Sequence, residues 1–149
     1  MNPNSLGSEN FAVLATLNPV SQAAATVVSG YVDARKFAMI TAVLATGVLG
    51  ASATIDAKLR QATDSSGTGV KDITGKSITQ LVKASNDNNQ AIINVRPEDL
   101  DVDNGFTHVC LSVTVGTAAS LMAAALLGFF PRQGAASDSN QAGVVQIVA

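Results

Sequence analysis

Two segments of this chain alternate apolar and polar residues one by one, and that period leaves few folds open. In Thr54-Ile55-Asp56-Ala57-Lys58-Leu59-Arg60-Gln61, the apolar Ile55, Ala57 and Leu59 fall on one side and the charged Asp56, Lys58 and Arg60 on the other. Further on, Val109, Leu111, Val113 and Val115 alternate with Cys110, Ser112, Thr114 and Gly116. Successive side chains of a strand point to opposite faces, so this pattern marks strands buried on one face only.

The rest of the chain divides in the same way. Residues 36–46 are apolar on both faces, which suits a central strand. Residues 90–96, 106–115 and 121–129 read as further strands, and 70–73 and 78–82 as short ones. Asp64-Ser65-Ser66-Gly67-Thr68-Gly69 and Asp103-Asn104-Gly105 are turns, since Gly, Asn and Asp accept the left-handed backbone angles that turns need. Pro97-Glu98-Asp99-Leu100 suits a single helical turn with proline at its start. Short strands spaced by turns predict an all-β fold, an antiparallel β-sandwich of jelly-roll type. Residues 30–132 form its body. Residues 1–29 read as an extended N-terminal arm with apolar patches at 11–17 and 23–28. Residues 133–149 read as a C-terminal tail ending in the β-prone, uncharged Val144-Val145-Gln146-Ile147-Val148. Left free, such a segment is an aggregation hazard, so pairing with an edge strand is expected, its own or a neighbour's.

Composition says how much surface this body hides. Charged residues make up 13% of the 149 residues, against about 25% in an ordinary soluble domain. Hydrophobic residues make up 47%, mostly Ala and Val. A partner chain or a membrane would account for that balance. Residues 37–55 and 109–131 carry no charge, and each nears the ~20 residues of a membrane-spanning helix, as in a holin. Their Thr, Ser and Gly content and the period-two pattern favour strands instead, and no Trp or Tyr flanks them. The first ten residues lack a basic stretch followed by an apolar one, so no secretory signal is expected.

Little in the chain suggests chemistry. His108 and Cys110 share a strand face, but a thiolate nucleophile needs an oriented base, and no further His is present. Asp101-Val102-Asp103-Asn104-Gly105 starts like a calcium loop but lacks the closing Glu, so Glu98, Asp99, Asp101 and Asp103 read as a solvated acidic turn. Gly67-Thr68-Gly69-Val70-Lys71 has the wrong spacing for a phosphate loop. The nine Lys and Arg residues are scattered, which speaks against nucleic-acid binding. No catalytic residue, cofactor or metal is expected, and no enzyme.

The run 53–76, with Gln90-Ala91-Ile92-Ile93-Asn94-Val95-Arg96, Leu100-Asp101-Val102, Gly105-Phe106-Thr107-His108-Val109 and Leu127-Gly128-Phe129-Phe130-Pro131-Arg132, resembles segments of small virion proteins of tailed bacteriophages. Within that group the resemblance implies a capsid decoration (cement) protein. Such proteins are often β-sandwich or jelly-roll homotrimers that sit on the capsid exterior, bind the major capsid protein and bridge capsomers. The expected anchors are Phe11, Val13, Leu14 and Leu17 in the arm and Val144, Val145 and Ile147 in the tail. A head–tail connector, tail or spike component, a holin-like membrane protein and a wall-acting enzyme using Cys110 stand as alternatives.

Overall fold

The computed structural model describes residues 4–148; the first three residues of the arm and the last of the tail lie outside them. Ten strands follow in order: β1 (Phe11–Gln22), β2 (Ala25–Val28), β3 (Val32–Asp33), β4 (Phe37–Thr46), β5 (Thr54–Ala62), β6 (Lys71–Ser77), β7 (Leu81–Val82), β8 (Gln90–Val95), β9 (His108–Gly116) and β10 (Ser120–Pro131). They form two antiparallel sheets. One has the order β1-β10-β4-β8. The other has the order β2-β9-β5-β6, with β3 continuing β2 along β9 and β7 lying beside β5. Successive strands keep crossing from one sheet to the other: β1 to β2, β3 to β4, β4 to β5, β7 to β8, β8 to β9 and β9 to β10. The chain is therefore an all-β sandwich with the strand order of a jelly roll, as its alternation predicts.

The core lies between the sheets. Ile40, Ala42 and Leu44 of β4 and Met122, Ala124 and Leu126 of β10 face Ile55, Ala57 and Leu59 of β5 and Val109, Leu111 and Val113 of β9. Each Leu, Ile or Val buried here contributes about 1.5–3 kcal/mol relative to exposure. The turns form where Gly, Asn and Asp place them. Asp64 accepts from the backbone N–H of Ser66 and Thr68 and from the Thr68 hydroxyl, at 2.9, 3.1 and 2.6 Å. Gly105, with φ +81°, ends a 3-10 turn at Val102–Asn104.

The arm is not separate from the body. Residues 11–28 supply β1 and β2, one strand to each sheet. Alternation hid this because the β1 ladder slips between Val13 and Ala15 and again between Leu17 and Val20. Each slip reverses the side on which later residues fall. The uncharged stretches also prove to be strands: 37–46 is β4, and 109–131 covers β9 and β10. Among the described residues no helix is long and apolar enough to cross a membrane. The tail forms no strand. Its 3-10 turn, Ala136–Ser139, packs on β1, and residues 144–148 join no ladder.

One core contact needs a missing side chain. Phe37 is fully buried, and a Cβ on Gly128 would sit 2.7 Å from its ring. Gly128 lies between Ala12 of β1 and Ile40 of β4, so small residues on β10 and β1 leave the room that the ring fills. Gly128→Ala should lower stability by about 1–3 kcal/mol, the usual cost of overpacking a filled core. Urea denaturation would show it as a lower midpoint with an unchanged slope.

Candidate interaction face

The outer faces of the two sheets differ in kind. On the β2-β9-β5-β6 sheet, β5 presents Asp56, Lys58 and Arg60, opposite Thr114, Ser112 and Cys110 of β9. Asp72 of β6 accepts from Lys58 Nζ at 2.7 Å and from Arg60 Nε at 3.0 Å. Part of this face is roofed. Tyr31 lies beside the buried Cys110 and touches Gly67, whose added Cβ would lie 2.6 Å from the phenol ring. Burial pushes the Cys110 thiol above its ordinary value.

On the β1-β10-β4-β8 sheet the register lines up outer rows with no charge. One row is Phe11, Phe129 and Met39; the next is Val13, Leu127, Thr41 and Asn94; a third is Thr16, Ala125, Val43 and Ile92. Thr41 donates to Asn94 at 2.8 Å and Gln141 to Thr16 at 3.2 Å, so the polar groups here are uncharged and paired. Ile92 is 63% exposed. At one end Phe11, Phe129 and Phe130 form a chain of rings, with centroids 5.9 and 6.4 Å apart. These separations suit tilted aromatic pairs. Phe130 is exposed and has φ +54°, a left-handed backbone that a bulky residue seldom adopts. A groove of about 550 Å³ beside it is lined by Met39, Arg96, Asp99 and Arg132 among others, which places charge at the rim of an apolar face.

The sequence candidates fall into separate places. Phe11 and Val13 belong to the outer rows, whereas Leu14 and Leu17 pack against the protein's own core. Val144 is half-buried, and Val145 and Ile147 are exposed on the tail. His108 Nδ1 bonds the Thr107 hydroxyl at 2.9 Å, while Cys110 turns to Tyr31, so each has a different partner. The acidic turn is met by the chain's own cations: Asp99 pairs with Lys76, Asp101 with Lys71, and Glu98 with Arg132 at 3.6 Å. The outer residues of β4, β8 and β10 escaped sequence reading because strands apolar on both sides do not show which side faces out. The missing charge in both 37–46 and 120–131 was the available signal.

No protein-family model matches the chain, and no curated protein matches it in sequence. Similar solved structures include a chain of the Cowpea Mosaic Virus empty virus-like particle, at TM-score 0.39 and 15% identity, over 74% of this chain and 55% of that one. The Bacillus endospore appendages, disulfide-linked pili, match at 0.37 and 15%, over 87% and 99%. The C-terminal family 22 carbohydrate-binding module of Clostridium thermocellum Xyn10B matches at 0.40 and 17%, over 86% and 90%. At these levels the likeness carries no conclusion about activity or ancestry.

The ion pairs set an acid limit. Asp33 beside Arg35, Asp72 beside Lys58, Asp87 beside Lys83, Asp99 on the Arg96 backbone N–H and near Lys76, and Asp101 beside Lys71 all titrate below the ordinary carboxylate range. A lowered folded value means stability that is complete above the unfolded value of about 3.9 and is lost as pH falls below it. Urea midpoints should therefore stay level from about pH 7 to 5 and fall below about pH 4. A level midpoint at about pH 2.5 would show that these pairs contribute nothing.

Proposed function

We propose that this protein is a non-enzymatic structural component of a virus particle, a decoration (cement) protein on the outside of a phage head. The observation that carries this reading is the charge-free outer face of the β1-β10-β4-β8 sheet, set against a charged outer face on the opposite sheet. A sheet exposed to water on one side normally alternates apolar inside with polar outside. Apolar residues on both sides point to a second surface over the outer one.

The size of the face favours a repetitive partner. Four strands spaced by about 4.8 Å and paired over some 27 Å cover roughly 500 Å². A stable pairwise interface needs about 800 Å² per partner. The face is thus too small to hold one copy tightly by itself, but many copies on a lattice, or a homotrimer bound at several points, gain from multivalency. Its occupant in this reading is the major capsid protein, with the Phe11, Phe129 and Phe130 cluster as the aromatic anchor that dominates such contacts. The likeness of the body to tailed-phage virion segments supplies the kind of particle.

Cryo-electron microscopy of intact particles tests this directly. Density for the chain at three-fold or quasi-three-fold positions outside the shell is the expected outcome. Density confined to one vertex or to a tail would move the role to a connector or tail part. A variant gives a second check. Phe130→Gly suits the positive φ, so folding should be retained while occupancy on the capsid falls at least about tenfold, the loss of one hot-spot side chain. Unchanged occupancy would remove the aromatic cluster from the contact.

A further inference from the structure

Three of the four sheet edges are closed to further pairing. The β6 edge carries Lys71, Asp72 and Lys76 and bends at Gly75, with φ +75°. The β2–β3 edge is short and interrupted, with Asp33 and Arg35 beside it. On β1, Asn140 accepts from the Val13 N–H and the Gln141 N–H donates to the Val13 carbonyl, both at 2.8 Å; beyond it Asn18 and Pro19 break the ladder. Charges, bulges, proline and covering segments are the usual protections of an edge strand. β8 has none of these. Its residues Gln90–Val95 contain no proline and no charge, and its ladder to β4 runs without a shift.

The same chain presents an unpaired strand. Val144-Val145-Gln146-Ile147-Val148 carries no charge and joins no ladder; Val145 is 93% and Val148 82% exposed. Its length suits the mean strand of about 5–6 residues and is one residue short of β8. It cannot reach the β8 of its own chain. Gln141 is tied to β1 at the opposite side of the sheet, and a place outside β8 lies four strand spacings away, about 19 Å. The links from Gln141 to Val144 extend at most about 11 Å.

We infer that residues 144–148 add as a fifth strand to the β8 edge of a second copy of this chain. Main-chain hydrogen bonds would supply the affinity, as in other strand additions. Val145 and Ile147 would fall on one side of the extended sheet, and Val144 and Val148 on the other. This deepens the proposed role by naming how copies join, yet it requires no capsid and is measured without one, so failure of either leaves the other standing.

Sedimentation equilibrium of the full chain should show association. The double variant Val145→Asp with Ile147→Asp should weaken it at least about tenfold, with unchanged thermal unfolding at concentrations where both chains are monomeric, because both side chains are exposed. A mixture of Ile92→Cys and Gln146→Cys chains should yield disulfide-linked pairs of one of each under mild oxidation, since Ile92 lies exposed at the middle of β8 and the native Cys110 is buried. A monomeric full chain, association untouched by the Asp pair, or no mixed product would overturn the inference. The second of these results would point to β8 meeting β8.

Discussion

Strands β9 and β10 are each hydrogen-bonded on both flanks, and the sandwich depends on that pair. β10 runs between β1 and β4, and β9 between β2 with β3 and β5. The short link from Gly116 to Ser120 places them in opposite sheets, so the chain's most apolar region forms the middle of both layers. Gly50 N–H is tied to the Ser120 hydroxyl at 3.1 Å, and the Gly47 N–H to the Leu121 carbonyl at 2.8 Å. The β4–β5 crossover is thereby fastened to the β9–β10 crossover, and the two sheets are joined at one end by backbone as well as by side chains. Buried polar groups satisfied in this way cost little and fix the geometry.

Small residues decide the thickness of the four-stranded layer. Ala42, Ala124, Ala12 and Gly128 face inward, and the large side chains that fill the space come from Phe37, Leu44 and Leu126 and from the other sheet. Alanine and valine dominate the composition for that reason: a sheet that is apolar on both sides has no place for a long polar side chain. The charged residues gather instead on β5, β6 and the turns at 97–104, where they meet one another. Exposed pairs of this sort are screened by water, so they shape the surface more than they hold the fold.

Much of the architecture was legible in the residues. Alternation in 54–61 and 109–115 gave the facing strands of one sheet, with Ile55, Ala57 and Leu59 inward and Lys58 and Arg60 outward as written. Where alternation failed, the reason is local. β1 reads as irregular because the slip after Val13 sets Leu14 and Leu17 against the core while Val13 faces out, and a second slip follows Leu17. β6 runs from Lys71 to Ser77 rather than stopping at Ile73, since Gly75 bends the edge without ending it. The interaction face was the least legible part. It is assembled by register across four strands distant in sequence, and no single segment of Met39, Ala125 or Ile92 announces that its neighbours share a side.

The contact between Tyr31 and Gly67 has an optical consequence. The chain holds one tyrosine and no tryptophan. Its near-ultraviolet absorption above the phenylalanine bands therefore comes from a single phenol, lodged between the 64–69 loop and the Cys110 thiol. Whatever loosens that loop, or draws Cys110 of β9 away from it, changes the surroundings of the only strong chromophore present. The fold thus carries its own spectroscopic gauge, read at one joint, with no label attached.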